Sequence, residues 1–238
     1  MDITPLLQNA HLPRRWATLC FLLPLLSIHL VYLLAANAGQ VPWCIPHIQG
    51  CTSISRAARE GIANPVFRAT MLTWALMLVG FWWLNAGWLV RRHGAHRQVR
   101  WSLGFVIVSL LTLTGYAWFV GGESGLALWF RRYGGVLFFS CFAVAQFFVL
   151  VVVHRDQGYP LRLRRLFVYC CAALLVLGWG SIPGGHLAQD GYRVVSAIEW
   201  SFALLMIFTL LLNGRLWQID QFSLHDAHLG WRRLLSQT

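Results

Sequence analysis

The stretch that decides the fold is YRVVSAIEWSFALLMIFTLLLN, which runs from Tyr192 to Asn213 and carries one carboxylate, Glu199, a third of the way along. About 20 predominantly apolar residues are enough for a helix to cross a bilayer. An ionisable side chain there costs roughly 2.5 to 3.5 kcal/mol on insertion scales and marks a functional site by default. We therefore expect a membrane span with a site at Glu199. The alternative is a structural role, in which Glu199 pairs with an arginine or with the backbone and locks two helices together.

The composition of the whole chain predicts an all-α polytopic membrane protein. Of its 238 residues, 58% are hydrophobic and 11% are charged, and the mean hydropathy is +0.58. These values lie outside the range of ordinary soluble domains. Apolar runs in lipid must be helical, because every backbone N–H and C=O needs a partner within its own segment. We predict a single domain over residues 1–238, a six-transmembrane-helix bundle whose tail, residues 214–238, lies along the inner interface. The predicted spans cover residues 16–37, 66–90, 101–121, 134–153, 166–182 and 192–213.

Arginine alone indicates the orientation of the chain, since the sequence contains no lysine. With the N-terminus inside, 13 of the 19 arginines lie in inner segments and six in outer loops. The positive-inside rule then places both termini in the cytoplasm. We interpret the formal net charge of +11 as attraction to anionic lipid at the inner face. The arginines are scattered between spans and form no continuous basic face, so we expect membrane lipids as partners and no nucleic acid.

Two of the six cysteines, Cys44 and Cys51, fall in the predicted outer loop, residues 38–65. In an oxidising compartment they are candidates for a disulfide that would close a small loop. The other four lie within predicted spans, where we expect them to behave as small apolar side chains. The alternative, a redox relay from Cys44 and Cys51 to a quinone, lacks the Cys-x-x-Cys spacing that tunes a thiol pair.

The predicted outer loop also gathers side chains suited to a lipid headgroup. It contains hydroxyl groups, arginines and a histidine, and a further arginine lies one turn into the next helix. At the outer surface of a membrane these groups predict a headgroup site. The alternative is a loop that is only solvated beside the headgroups. The candidate headgroup-binding residues are His47, Ser53, Ser55, Arg56, Arg68 and, next to Glu199, Trp200.

Two residues in the first and last spans are candidates for catalysis. His29 is seven residues from Ala36, and Glu199 is seven from Tyr192, so at 1.5 Å per residue both lie about 10 Å below the outer face. If these spans are neighbours, His29 and Glu199 could perform general acid/base work on a lipid ester or hydroxyl. A lone histidine on a leucine-rich helix is more often hydrogen-bonded to backbone or hydroxyl groups. The histidines are split between the two faces, so we expect no bound metal and no cofactor.

Two stretches of the chain resemble the Frag/DRAM/Sfk family of six-span membrane proteins. The first, PHIQGCTSISRAAREG at residues 46–61 followed by Asn64-Pro65 and Phe67-Arg68, is similar to the family's first lumenal loop. The second, Ile198-Glu199-Trp200 with Asp220 and Phe222 beyond it, is similar to its final helix. Members of this family remodel the lipid part of GPI anchors, affect phospholipid distribution or modulate autophagy. The resemblance thus implies action on membrane lipid at the non-cytoplasmic side.

Two functional hypotheses follow. Arginine without lysine is typical of GC-rich bacterial genomes, and bacteria generally lack GPI anchors. We therefore expect a protein of the bacterial inner membrane that acts on another glycolipid or phospholipid. The first hypothesis is a protein that binds such a lipid and modifies or moves it through a cavity open to the non-cytoplasmic leaflet, whether or not it is an enzyme. The second is a non-catalytic adaptor or regulator whose outer loop, residues 38–65, binds a partner protein, with Glu199 in a structural ion pair.

Overall fold

The protein is helical throughout the residues that a computed structural model describes, which are 7–187 and 190–236, with the side chains of 182–187 outside that description. In chain order the elements are α1 (His11–Asn37), α2 (Pro46–Gln49), α3 (Ile54–Ala57), α4 (Ala63–His93), α5 (His96–Phe119), α6 (Gly125–Trp129), a π-helical turn (Phe130–Gly134), α7 (Gly135–Arg155), α8 (Leu161–Leu187), α9 (Gly191–Ile219) and α10 (Leu224–Leu235).

Five helices are long and apolar enough to cross a membrane, which confirms the predicted all-helical, multi-pass class for the described part of the chain. They are α1, α4, α5, the continuous run Gly125–Arg155 and α9. These five overlap five of the predicted spans. The remaining predicted span, residues 166–182, lies on the 27-residue helix α8, and the side chains at the end of α8 lie outside the description.

The long helices form a closed ring in chain order. Each of α1, α4, α5, α7, α8 and α9 packs on the next, and α9 returns to pack on α1. Short connections, such as residues 94–95 between α4 and α5, make successive helices antiparallel. Residues 38–62, with α2 and α3, therefore cover one end of the ring, the loop end. Helix α10 covers the opposite end, the tail end.

The helices extend beyond the spans predicted from hydropathy. Helix α4 runs from Ala63 to His93, whereas the predicted span covers residues 66–90. Hydropathy marks the apolar part of a helix, but the backbone hydrogen bonds continue until a capping residue ends them. Gly94 ends α4 in the left-handed region, at φ +60°, and donates its N–H to the carbonyl of Val90 at 3.0 Å. A left-handed residue of this kind is a common helix end, and glycine adopts it at no steric cost.

Helix α10 packs closely on α4 at the tail end. A Cβ atom on Gly230 would lie 2.0 Å from the carbonyl oxygen of Gly87, so this crossing needs glycine. Ser223 and Asp226 form a reciprocal capping box that starts α10. The first residues of the predicted tail, 214–238, continue α9 instead of leaving the bundle. The tail is therefore built partly into the ring, with α10 across its end.

A network of hydrogen bonds around Asp220 also holds the tail end together. Its carboxylate, only 11% exposed, accepts hydrogen bonds from Trp88 Nε1 at 2.7 Å, Tyr159 Oη at 2.5 Å and Arg92 Nε at 3.4 Å. Arg92 also pairs with Asp156 at 3.2 Å. Burial, and then the hydrogen bond to Asp220, raise the pKa of Tyr159 far above its ordinary range, so its hydroxyl is a permanent donor. The network ties α4, the α7–α8 connection and the end of α9 together.

Candidate functional site

The carboxylate of Glu199 lies at the start of α3. It accepts hydrogen bonds from the backbone N–H groups of Ile54 and Ser55, the first two residues of that short helix. Ser53 caps the same turn, since its Oγ accepts the N–H of Arg56 at 3.1 Å. The first N–H groups of a helix have no partner within the helix. Glu199, on α9, therefore supplies the missing acceptors and fastens the loop end to the last span. A contact of this kind with backbone groups is what the structural alternative for Glu199 expects.

Two more side chains of α9 hold the same segment. The hydroxyl of Tyr192 accepts the N–H of Ser53 at 3.3 Å. The indole Nε1 of Trp200, which is fully buried, donates to the carbonyl of Thr52 at 2.8 Å. Together with Glu199, these contacts engage four consecutive residues of the loop end from one helix. The position of α3 is thus set by α9.

His29 on α1 and His47 on α2 form a hydrogen-bonded histidine pair. The Nδ1 of His29 lies 2.7 Å from the carbonyl oxygen of Leu25, and its Nε2 lies 3.1 Å from Nε2 of His47. A carbonyl can only accept, so His29 carries its proton on Nδ1 and accepts on Nε2 the proton of His47. The Nδ1 of His47 is buried without a hydrogen-bond partner among the described residues. Burial and then the nearby His29 lower the pKa of His47, which favours the neutral form of the His47 ring.

The histidine pair belongs to an aromatic cluster that anchors the loop end on α1. The ring of Trp200 lies edge-on to His29, His47 and Tyr32, at centroid distances of 5.7, 5.3 and 6.0 Å. The Tyr32 hydroxyl accepts the N–H of Cys44 at 2.7 Å and lies 2.9 Å from its carbonyl oxygen. A disulfide joins Cys44 to another loop residue, Cys51. The loop end is therefore closed on itself and fixed to α1 and α9.

Glu199 borders two adjoining spaces inside the ring. The first, the core cavity, has a volume of about 60 Å³ and is lined by apolar and aromatic side chains such as Met71, Phe138 and Met206. The second, the lateral cleft, has a volume of about 280 Å³ and lies between the π turn, α7, α8 and α9. Four residues line both spaces and form a neck between them: Tyr116, Gly135, Phe139 and Glu199.

Polar groups line the lateral cleft on the side of the loop end. Arg131 and Arg132 come from the π turn, an irregularity that is frequent at functional sites. Neither guanidinium makes a hydrogen bond or ion pair with the described part of the chain. Ser140 on α7 and Ser181 on α8 lie in opposite walls. The cleft thus combines positive charge at one end with a neck that borders the apolar core cavity.

The structure places two of the predicted site residues, Ser55 and Glu199, in the lateral cleft. His29 lies in the aromatic cluster and is not among the described residues that line the cleft or the core cavity. Both of its ring nitrogens are engaged, by Leu25 and by His47. Helices α1 and α9 are neighbours, as the acid/base hypothesis supposes, but the structure does not bring the imidazole of His29 and the carboxylate of Glu199 together.

The other predicted headgroup residues lie outside the cleft. The guanidinium of Arg68 stacks over Trp118, 5.3 Å from the ring centroid. Arg56 is exposed on α3. The remaining three make the contacts described above. Ser53 caps α3, His47 pairs with His29, and Trp200 donates to the carbonyl of Thr52.

Sequence reasoning missed several residues of the lateral cleft. Arg131 and Arg132 directly precede a span on the side where the positive-inside rule disfavours arginine, and this was the available signal. Tyr116 and Ser140 gave no signal, because single tyrosines and serines are ordinary in membrane helices. Only the packing of α5 and α7 against α9 brings them to the cleft and its neck.

No group of three or more His, Cys, Asp or Glu side chains in the described residues is placed to hold a metal ion. Comparison of the chain with models of known protein families, with curated proteins and with solved structures finds no match. The resemblance to the Frag/DRAM/Sfk family thus rests on the two short stretches quoted above. The geometry of the site is the main basis for a functional proposal.

Proposed function

We propose that this protein binds a membrane lipid or glycolipid in the lateral cleft and moves or modifies it at the non-cytoplasmic leaflet. The observation that carries the proposal is that the cleft and the core cavity adjoin at the neck, where Glu199 borders both. A polar, positively charged opening that leads to an apolar interior suits an amphiphile, which carries both kinds of surface. Binding sites commonly combine an apolar lining with a few convergent polar groups in this way.

The chemistry at the neck supports binding or movement of the lipid more than cleavage of a bond. Glu199 is engaged with the N–H groups of Ile54 and Ser55, so its carboxyl oxygens already have partners in the loop end. The proposed partner for acid/base chemistry, His29, is bonded elsewhere. Ile54 lines the core cavity and Ser55 the lateral cleft, so the Glu199 contacts hold α3 over the neck. Glu199 thereby controls the shape of the passage.

The proposal includes six spans, with α8 as the sixth, and both termini in the cytoplasm. A helix of 27 residues is roughly 40 Å long, which is enough to cross a bilayer. The ring order supports this count, because α8 packs between two helices that are long and apolar enough to span. The distribution of arginine, 13 inner and six outer, supports the orientation and an inner membrane location in bacteria. The loop end then faces the non-cytoplasmic side, as in the family that the two stretches resemble.

Native mass spectrometry with lipidomics tests the proposal. Gly135→Leu would fill the neck, because a Cβ there lies 3.9 Å from Tyr116, and Gly178→Leu would fill the wall of the cleft, 3.5 Å from Phe202. Gly180→Leu on the same helix as Gly178 is the matched control, since a Cβ there meets nothing within 4 Å.

We expect a discrete lipid to co-purify with the parent and the control and to be lost from both filled variants. Thermal unfolding in detergent identifies any variant that has lost its fold. If the lipid is retained by well-folded Gly135→Leu and Gly178→Leu proteins, or if only bulk lipid accompanies every protein, the proposal is wrong.

A second candidate function, a non-catalytic adaptor that binds a partner protein, is favoured by one observation. Three apolar residues on the loop end are largely exposed, Trp43 at 64%, Ile45 at 57% and Ile48 at 77%. The disulfide between Cys44 and Cys51 fixes the segment that carries them. Exposed apolar groups on a rigid segment suit a protein contact. A triple substitution by serine that removes a co-purifying protein, while leaving bound lipid unchanged, would support the adaptor.

A further inference from the structure

We propose that the lateral cleft selects lipids that carry an anionic phosphate, with the phosphate held by Arg131 and Arg132 and an acyl chain passing through the neck. This inference rests on the proposed function, because it names the class of lipid for the same site. The shared chemistry is a phosphate monoester or diester. A phospholipid is the source that also uses the apolar part of the cleft.

The charge of the cleft favours an anion. Arg131 and Arg132 are adjacent in sequence on the π turn, and both line the cleft. Their guanidinium groups make no hydrogen bond or ion pair with the described residues. Arginine presents several N–H donors in a planar fork that matches phosphate oxygens. The one carboxylate among the described residues of the cleft, Glu199, accepts hydrogen bonds from Ile54 and Ser55 and leaves the two arginines to a ligand.

The spacing of polar groups along the cleft suits the phosphate and ester groups of a phospholipid. Gly135 at the neck lies about one turn beyond Arg131 and Arg132, and Ser140 lies about 12 Å beyond Arg132 at 1.5 Å per residue. An arginine side chain can reach part of that distance along the cleft. The Ser140 hydroxyl is then at the level of the glycerol and ester groups, whose carbonyl oxygens accept a hydrogen bond.

The hydroxyl on the opposite wall has a different role. Ser181 donates to the carbonyl of Gly178 at 2.7 Å, so its proton is already used within α8. Ser140 is thus the serine in the two walls whose hydroxyl is available to donate. Beside it, the apolar residues Val136, Phe139 and Phe202 line the cleft and offer a surface for an acyl chain.

The core cavity gives the end of such a chain a place to lie. It adjoins the cleft at Tyr116, Gly135 and Phe139 and is also lined by Met71 and Met206. Methionine side chains adapt their shape and suit a flexible alkyl chain. A headgroup without a chain would use only the arginine end of this path. A lipid without phosphate would use only the apolar end.

The test is a binding measurement on the full-length protein in detergent. Native mass spectrometry would count the lipids retained from phosphatidylglycerol, phosphatidylcholine and diacylglycerol, each supplied separately, with inorganic phosphate as competitor. The variant is Arg131→Gln/Arg132→Gln. The matched control is Arg162→Gln/Arg165→Gln, which removes the same charge from two exposed positions at the tail end.

We expect phosphatidylglycerol to be retained at least about tenfold more strongly than diacylglycerol by the parent and the control. This preference should disappear in the Arg131→Gln/Arg132→Gln protein. Inorganic phosphate at millimolar concentration could displace phosphatidylglycerol completely, which would mean that the acyl chain adds nothing to binding. That result would assign the site to free phosphate and overturn the lipid assignment.

Equal retention of all three lipids by the parent would refute the phosphate inference and leave the proposed lipid function standing. Loss of phosphatidylglycerol from the control to the same extent as from the Arg131→Gln/Arg132→Gln protein would likewise refute it, because the effect would then come from net charge. Absence of any retained lipid would refute both proposals. The three results are therefore distinguishable.

Discussion

The backbone N–H of Ser55 donates a hydrogen bond to the carboxyl group of Glu199, so the loop end is fastened to α9 from inside the bundle. The adjacent N–H of Ile54 donates to the same carboxylate. Because Ile54 lines the core cavity and Ser55 the lateral cleft, this one contact lies where the two spaces meet. Glu199 thus links the position of α3 to the neck between the two spaces.

Removal of the Glu199 carboxylate should destabilise the loop end. In Glu199→Leu the N–H groups of Ile54 and Ser55 lose their acceptor, at a cost of about 1 to 3 kcal/mol for each buried donor. Glu199→Gln keeps an amide oxygen in place and should cost less. Thermal unfolding in detergent, followed by tryptophan fluorescence, measures the effect. The expected order of melting temperatures is parent, then Glu199→Gln, then Glu199→Leu.

Glu123→Gln is the control for this series, since Glu123 is exposed at the same end of the bundle. Its melting temperature should equal that of the parent. An unchanged melting temperature for Glu199→Leu would mean that the contacts of Glu199 with α3 do not hold the loop end.

The stability of the protein should fall as the pH is lowered through about 6.5, because of His47. Its pKa in the folded protein is lowered from 6.5, first by burial and then by His29, so the unfolded chain binds more protons in the window below that value. Stability is therefore complete above pH 6.5 and decreases as the pH falls towards the lowered pKa. Melting temperatures at pH 5.0 and pH 7.5 would measure this difference.

His47→Gln should reduce the pH dependence. Its amide keeps a donor for Nε2 of His29 but does not titrate. The comparison is with His225→Gln, which removes an exposed histidine from α10 and should retain the parent's dependence. Equal pH dependence in the parent and in His47→Gln would exclude His47 as its source.

Loss of the Asp220 carboxylate should be among the most destabilising changes at the tail end. Asp220→Ala leaves Trp88, Tyr159 and Arg92 without their shared acceptor, at a cost of about 1 to 3 kcal/mol for each donor that stays buried. Tyr159→Phe removes one bond to a charged acceptor, about 1.5 to 3 kcal/mol. Chemical or thermal unfolding in detergent would measure both changes.

Asp190→Asn serves as the surface control for Asp220. Asp190 is 73% exposed and pairs with Arg193 at 3.7 Å, a contact worth about 0 to 1 kcal/mol. If Asp220→Ala is no more destabilising than this control, the hydrogen bonds at the tail end contribute little to the fold.

An even number of spans requires both termini on one side of the membrane. Green fluorescent protein fused to either end of the full chain should fluoresce in a bacterial host, because it folds in the cytoplasm. Alkaline phosphatase fused to either end should be inactive there. Fluorescence at one terminus combined with phosphatase activity at the other would mean that the number of spans is odd and that α8 does not cross.

The long helices could be predicted from the sequence because apolar length is a strong local signal. The stretch at 192–213 lies within α9 as expected, but hydropathy underestimated the length of the helices, since it reports apolar surface and not backbone hydrogen bonding. The packing of α10 on α4 through Gly87 and Gly230 depends on a contact between distant parts of the chain. Single residues of this kind carry no local signal for their partner.

The candidate site was predictable only in part. Glu199 could be identified because a carboxylate in an apolar span is rare. Its partners could not, because the N–H groups of Ile54 and Ser55 belong to a four-residue helix in a loop. Depth alone suggested that His29 faces Glu199, whereas rotation about α1 directs the imidazole to His47. Depth along a helix is set by residue number, but the direction of a side chain depends on packing.

The measurement that tests the central claim most directly is photocrosslinking with a phosphatidylglycerol analogue that carries a diazirine in its acyl chain. Peptide mapping by mass spectrometry would locate the adducts, with excess phosphatidylglycerol as competitor. We predict competed adducts on α7, α8 and α9 at residues that line the lateral cleft and the neck, such as Phe139 and Phe202, and fewer of them in Gly135→Leu. Adducts spread evenly over the outer surface of the bundle, with no effect of competitor or of Gly135→Leu, would contradict a lipid site at Glu199.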